Sequence, residues 1–250
     1  MRKTSRIGDV IIELSEIDST NNYAMKLVNE GMAEHGLVVR ADWQTAGRGQ
    51  LGNSWISEES KNLLLSLVID SSGFAIEKQY LLNAMTCVAL GEMLMSEYQV
   101  ANISIKWPND IYAGSRKISG ILIENIIRGQ VWSHAIVGIG LNVNQQKFAD
   151  LNRATSLYNE TGKTLKTNMV GKRLMKFLNE AYERLLKNED QLFMDYNKML
   201  YGFNEAITLK KNNELMTGIM RGVNEQGLLE IEFDKKIRRF KHKEIDILLS

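Results

Sequence analysis

Apolar and polar positions along the 250-residue chain switch between a period near 3.6 and a period near 2, and each switch marks an element. Asp9 to Leu14 (DVIIEL) reads as a strand. DSTNNYAMKLVNEG reads as a helix that starts among the cap-competent residues Asp18, Ser19, Thr20 and Asn21 and stops at Gly31. GLVVRADWQ is a second strand that leads directly into a glycine-rich loop, QTAGRGQLGNSW. Asn62 to Asp70 is a strongly apolar strand, and EKQYLLNAMTCVALGEMLMSEY is a long amphipathic helix. A short strand, ISIKW, ends before Pro108. KISGILIENII and VWSHAIVGIGLNVN are apolar runs separated only by Arg128-Gly129-Gln130, so this part of the sheet is predicted to be an antiparallel hairpin. The helical period returns between Asn168 and Leu200 as one or two helices. Beyond Tyr201-Gly202, short β-prone runs alternate with turn signals such as Asn212-Asn213 and Asn224 to Gly227. That change of texture predicts a main domain over residues 1–200 and a small all-β unit over residues 201–250.

Composition narrows the classes. The length and 44% hydrophobic content suffice for a sizeable core. A formal net charge of +1 gives no overall field toward nucleic acid or membrane, so any anionic ligand has to be met by local Arg and Lys. Cys87 is the single cysteine and sits in an apolar helical pattern, which excludes an intrachain disulfide or a CxxC metal site and predicts a core thiol. No stretch reaches the ~18 consecutive apolar residues of a membrane helix, and the N-terminal segment, interrupted by Glu13, lacks the apolar region of a signal peptide. Cytoplasm is the expected compartment. The charged stretch Lys235 to Lys243 suits either a solvated strand face or contact with an anion.

Gly47, Gly49 and Gly52 have the G-x-G-x-x-G spacing of a dinucleotide-binding turn, follow a strand, and have Asp70 about 20 residues on. That fingerprint requires its last glycine to open a helix that receives the pyrophosphate. Only NSWISEESK separates Gly52 from the next strand, and the hairpin at Arg128 to Gln130 breaks the β-α-β alternation of a doubly wound sheet. No Gly-Lys-Ser/Thr of a P-loop and no HRD or DFG of a kinase is present. A glycine loop carrying Arg48 still suits an anion: the backbone approaches closely and the guanidinium offers paired donors to carboxylate or phosphate.

A second cluster, KWPNDIYAGSRKISGILIE, contains Pro108, the only proline where average usage would give about twelve. It pushes Trp107 into an extended conformation and presents Asn109 and Asp110 at a defined angle. A turn between strands accounts for Pro108 and Asn109 but not for Lys117 at the start of an apolar strand. A third cluster, VGIGLNVN, places Gly138 and Gly140 in a β-branched run, where glycine marks close approach of a ligand or backbone. Strand alternation predicts Asn142 and Asn144 on one face.

DSTNNYAM, ADWQTAGRGQLGNSW, KNLLLSL, KWPNDIY, RKISGILIE and VGIGLNVN together resemble, in order and separation, the motifs of the biotin–protein ligases in their short form without an N-terminal DNA-binding domain. The resemblance runs from about Gly8 to Gln145, with the following helices and the tail agreeing in type. It implies an α+β fold: a mixed, largely antiparallel sheet packed by helices, like that of class II synthetases, with a small C-terminal SH3-like β-barrel. The implied activity is ATP-dependent and AMP-forming. Biotin becomes biotinyl-5′-AMP with release of pyrophosphate, and the biotinyl group passes to a lysine of a biotin carboxyl carrier protein domain such as that of acetyl-CoA carboxylase. Neither a tightly bound prosthetic group, nor nucleic acid, nor membrane is implied, and the chain is expected to be a monomer or homodimer.

By the same resemblance, Ser19, Thr20, Asn21 and Gln44 contact biotin, whose ureido ring needs donors and acceptors in an apolar pocket. Helix capping is a second role for Ser19 to Asn21. Gly47, Arg48, Gly49 and Gln50 form a lid over biotin and the adenylate, and Gly120 borders biotin. Lys117 bridges the biotin carboxylate and the α-phosphate, where negative charge crowds. Arg48, Gln50, Trp55, Lys117 and Asn142 are expected on the nucleotide, Trp55 suiting the core equally well, and Mg²⁺ accompanies ATP. Arg48, Lys117 and Asp110 are the expected catalytic residues. Asp110 deprotonates the acceptor lysine, helps hold Mg²⁺, or orients Lys117.

The family's loop reads G-R-G-R with a further arginine three residues on. Here those positions are Gln50 and Asn53, so the lid lacks two charges, and ISEESKN replaces the usual turn after Trp55. A lipoate-type ligase or acyltransferase of the same fold is an alternative, but the arginine-rich triple-glycine motif is missing and Cys87 is not placed as that nucleophile. A non-catalytic biotin or nucleotide sensor is another, against which Arg48 and Lys117 stand. The first strand begins near residue 9, leaving no room for the helix-turn-helix of a repressor.

Overall fold

The computed structural model describes residues 5–148 and 153–249, so the first four residues of the N-terminal segment considered above lie outside it. The first strand, β1 (Ile11–Ile17), runs parallel to β2 (Val38–Gln44) after a crossover through α1 (Thr20–Asn29). β2 pairs antiparallel with β3 (Leu63–Asp70). β3 in turn pairs with β7 (Val131–Leu141), the second arm of the expected hairpin with β6 (Arg116–Arg128). β5 (Asp110–Ala113) and β4 (Ile103–Lys106) complete a seven-stranded sheet of order β1-β2-β3-β7-β6-β5-β4, antiparallel except at its β1/β2 edge. β5 was not expected from the pattern; four residues directly after Pro108 are too few to display an alternation of period 2.

β3 is buried on both faces. Leu63, Leu65, Leu67 and Ile69 join the main core under α2 (Tyr80–Ser96), which is backed by α4 (Thr167–Lys187) and α5 (Glu189–Lys198). Val68 joins Val39, Ile136 and Ala24 in a smaller core under α1. Each such side chain contributes about 1.5–3 kcal/mol on burial, and this sandwiching is what makes β3 rigid enough to carry a site. α2 is apolar around nearly its whole circumference because the sheet covers one side and two helices the other; Cys87 is fully buried there, and burial pushes its thiol well above the usual range. α4 and α5 split at Asn188, whose Oδ1 accepts the Gln191 N–H at 3.1 Å. A short helix, α3 (Leu157–Thr161), was not expected from the pattern.

The C-terminal unit is an antiparallel sheet of β8 (Ala206–Lys211), β9 (Glu214–Val223), β10 (Leu229–Phe233), β11 (Lys236–Phe240) and β12 (Asp246–Leu248), in the order β11-β10-β9-β8-β12. It is seated on the larger unit through a shared apolar cluster and through polar contacts. Asn197 exchanges two hydrogen bonds with the Val223 backbone, and the Trp107 indole N–H donates to the Gly227 carbonyl at 3.1 Å. Among the described residues, no helix is long and apolar enough to cross a membrane.

All three histidines are held below their ordinary range near 6.5, in each case chiefly by burial. His134 faces Asp70 across β3 and β7 and leaves a buried Nδ1 without a partner, while His35 Nδ1 accepts the Asp70 N–H at 3.3 Å. The unfolded chain therefore binds more protons than the folded chain as pH falls below about 6.5, and stability is lost across that interval. We expect the thermal midpoint to drop between pH 7.5 and pH 5.5, and the drop to shrink in His35→Asn/His134→Asn. A midpoint that is flat over this range would refute the assignment.

Candidate active site

Three glycines form the floor of the site on the α1 face of the sheet. Gly120 of β6 lies opposite Gly140 of β7, and Gly138 lies between Leu122 and Ser66. A Cβ on Gly138 would overlap the Asn21 amide oxygen, and one on Gly140 would stand 2.5 Å from the Trp55 ring. The missing side chains thus admit the start of α1 and the indole of the loop.

At the start of α1, Ser19, Thr20 and Asn21 are almost fully buried. Ser19 occupies the N-cap position without a side-chain cap bond. The Thr20 N–H and hydroxyl instead both donate to Gln44 Oε1, at 2.8 and 2.9 Å. Ser66 links the pair, its Oγ lying 2.7 Å from Thr20 Oγ1 and 2.6 Å from Asn21 Oδ1. Asn21 Nδ2 donates to Glu124 Oε2 at 2.8 Å. Five polar side chains are thus locked into one orientation in an otherwise apolar setting, as recognition of a small polar ring requires.

Glu124 also accepts from Arg48 Nη2 at 2.6 Å, while Arg48 Nη1 donates to Asn22 at the same distance. One carboxylate therefore ties the glycine loop to α1. The loop itself folds back, with the Gly49 N–H bonded to Asn53 O and the Trp55 N–H to Gly47 O. It brings Arg48, Gly49, Gln50, Asn53 and Trp55 to the cavity, whereas Gly47 packs under Trp55 and does not line it. The short turn Gln50–Gly52 replaces the helix a dinucleotide fingerprint needs.

Lys117 Nζ lies 2.7 Å from Asp110 Oδ1 and 5.7 Å from the Trp55 ring centre. Asp110 stands opposite Gly120, so the ion pair rests directly on the glycine floor. The segment before it is clamped: the Pro108 carbonyl accepts from the hydroxyls of Tyr80 and Tyr196 and from Asn83 Nδ2, and Asn109 Nδ2 donates to the Ile121 carbonyl. Burial pushes both tyrosine hydroxyls far above their usual range, so they act as donors throughout the working pH range.

These groups border one cavity of about 230 Å³. It gathers Ser19, Thr20, Asn21, Gln44, Arg48, Gly49, Gln50, Trp55, Asp110, Lys117 and Gly120. Asn142 is not among its walls: β7 stops at Leu141, alternation does not extend past it, and Asn142 Nδ2 is spent on the Thr155 carbonyl at 2.9 Å. Asn144 likewise exchanges two bonds with the Leu165 backbone. Glu124 lies at the end of the RKISGILIE motif, and only its two partners, Asn21 and Arg48, reveal its role. Lys106, His242, Lys243 and Asp246 also line the cavity. The last three come from the C-terminal sheet, and no local signal placed them there. Among the described residues, no three His, Cys, Asp or Glu side chains gather as a metal site.

The comparisons with known proteins agree with this geometry. A solved biotin protein ligase from Aquifex aeolicus, in complex with biotin and ATP, superposes with a TM-score of 0.80 at 29% identity, covering 97% of this chain and all of that one. The bifunctional ligase/repressor BirA of Salmonella typhimurium is 29% identical over 96% of this chain and 74% of its own length. The biotin–[acetyl-CoA-carboxylase] ligase of Mycobacterium tuberculosis is 26% identical over 86% of this chain and 80% of its own. The model of the Biotin/lipoate A/B protein ligase family matches residues 14–142, more than half of the sequence and every motif around the glycine floor, and the chain belongs to that family.

Proposed function

We propose that this protein is an ATP-dependent ligase that activates biotin as biotinyl-5′-AMP and passes the biotinyl group to a lysine of a carrier-protein domain, such as that of acetyl-CoA carboxylase. One observation carries the reading: a single cavity holds a buried, fully ordered polar cluster at one end and the Lys117–Asp110 pair on the same glycine floor. The cluster suits the ureido ring, with Ser19, Thr20, Asn21 and Gln44 as its partners. In the first step a biotin carboxylate oxygen attacks the α-phosphorus, the bond from that phosphorus to the bridging oxygen breaks, and pyrophosphate leaves. Two anions meet in this step, and the Lys117 ammonium offsets the charge that builds between them. Arg48 adds a second cation from the lid, held at the cavity edge by Glu124 and Asn22.

In the second step the amine of the acceptor lysine attacks the acyl carbon and AMP leaves. Such a lysine is mostly protonated at neutral pH, with an ordinary pKa near 10.4, and we assign Asp110 as the carboxylate that takes its proton. Where Mg²⁺ accompanies ATP, Asp110 is the residue that would contact it, and the ion would offset phosphate charge. We assign the reaction to the cytoplasm, a reading supported by its use of ATP and a carrier protein as substrates.

The test is incubation with biotin, ATP, Mg²⁺ and a biotin carrier domain, reading pyrophosphate and streptavidin-reactive product separately, with lipoate in a parallel arm. Absence of both products with biotin overturns the reading, and product with lipoate alone would assign the lipoate branch of the family. Asp110→Asn is expected to slow transfer more than pyrophosphate release; wild-type rates in both steps would remove Asp110 from the chemistry. Gln50→Arg restores a cation facing the cavity and is expected to slow escape of the adenylate, timed by its appearance in the filtrate. No slowing would show that the lid's missing charge does not set retention.

A further inference from the structure

We propose that Glu124 is a positioning residue that latches the lid to the biotin end of the cavity and thereby sets how long the adenylate is held. This rests on the ligase reading above and deepens it. Gly120, Leu122 and Glu124 fall on one face of β6, opposite Gly140, Gly138 and Ile136, so Glu124 stands one step beyond the glycine floor. Gly138 is the position whose missing side chain admits Asn21. The carboxylate is set between α1 and the lid, and both of its oxygens are taken. Oε2 accepts from Asn21 Nδ2 at 2.8 Å and Oε1 from Arg48 Nη2 at 2.6 Å. Glu124 is not among the cavity walls, so it reaches the reacting groups only through these two partners.

Arg48 is held by the elements that build the biotin end. Its second bond, from Nη1, goes to Asn22 at 2.6 Å, and Asn22 is fixed in turn by donating from Nδ2 to Asp18 at 2.6 Å. That hydrogen bond keeps the Asp18 carboxyl below the usual carboxylate range, so the anchor stays ionised. The bonds from Gly49 N–H to Asn53 O and from Trp55 N–H to Gly47 O shape the tip of the lid without attaching it. A guanidinium has about five N–H groups, and the latch uses only those facing Glu124 and Asn22, which leaves donors for a carboxylate or phosphate. The latch therefore orients Arg48 without competing with the ligand. The Glu124 side chain is only 20% exposed, so solvent screens this pair less than a surface ion pair. With Gln50 and Asn53 neutral, Arg48 is the one cation between Gln44 and Trp55, and whatever holds Arg48 holds the lid. Both neighbours of Glu124 are donors, so an amide of the same shape would turn its own N–H groups toward one of them.

The full-length chain tests this with Glu124→Gln, Arg48→Gln and the double variant. Glu124→Gln is expected to speed escape of biotinyl-5′-AMP by about tenfold, the loss of one charge-assisted hydrogen bond. Arg48→Gln should speed it at least as much. Adding Glu124→Gln to Arg48→Gln should then change the rate by less than about twofold, because the latch acts through Arg48. A merely structural role for Glu124 would speed escape by the same factor in both backgrounds, and that result overturns the proposal. So does an escape rate in Glu124→Gln within about twofold of wild type. In the ligand-free chain, hydrogen exchange at the Gly49 and Trp55 amides should rise about tenfold in Glu124→Gln, and unchanged exchange overturns the latch. A wild-type chain that forms no adenylate marks failure of the ligase reading itself, and the exchange result then still decides the latch.

Discussion

Replacing Lys117 with glutamine is expected to slow pyrophosphate release by about 10²–10³-fold, with folding close to wild type. The argument rests on position. Lys117 Nζ stands 2.7 Å from Asp110, over a floor where Gly120 and Gly140 admit the Trp55 ring, and its charge is needed most as the carboxylate and phosphate approach each other. An interaction made chiefly in the transition state lowers kcat when removed, while one made equally in the ground state shifts KM. The stability cost is small because both members of the pair are partly exposed, and solvent screens what Asp110 loses. Lys117→Arg should not restore the rate: a planar guanidinium does not reproduce a compact ammonium packed against the Trp55 ring. A single-turnover rate within about tenfold of wild type in Lys117→Gln would remove it from the chemistry.

Gly138→Ala is expected to lower stability by about 1–3 kcal/mol and to weaken biotin binding at least tenfold. The added methyl would overlap Asn21 Oδ1. Asn21 cannot turn aside cheaply, because Ser66 engages its oxygen and Glu124 its nitrogen, and Ser66 in turn engages Thr20. Displacing it breaks several buried hydrogen bonds at once and rotates the groups assigned to the ureido ring. Gly73→Ala serves as the control, since nothing lies within 4 Å of its added methyl. Denaturant midpoints and biotin titrations of the two variants, compared side by side, decide it; equal behaviour would mean that the floor yields and the locked cluster does not matter.

Much of the larger unit was legible from the chain. The β6–β7 hairpin announced itself because two long apolar runs flank a glycine-containing connection, and α1 because cap-competent residues and a glycine stop bracket one amphipathic stretch. Lys117, Arg48 and Gln44 lie in short motifs that resemble those of the family, and all three line the one cavity. Other features escaped for physical reasons. β5 is too short to show a period, and Asn142 lies one residue beyond the strand whose alternation was used to orient it. Glu124 reads as an ordinary edge residue until Arg48 and Asn21 are seen on its two oxygens.

The sequence by itself determined the local elements, the family and the motif residues, because caps, periods and glycine loops act over a few neighbouring positions. Only the tertiary structure decided that Ser19 is buried without capping its helix, that one carboxylate joins the lid to α1, and that His242 and Lys243 reach the same cavity as Lys106. Those outcomes depend on contacts between residues far apart in the chain, such as Trp107 with Gly227, and no local preference encodes the partner of a buried hydrogen bond.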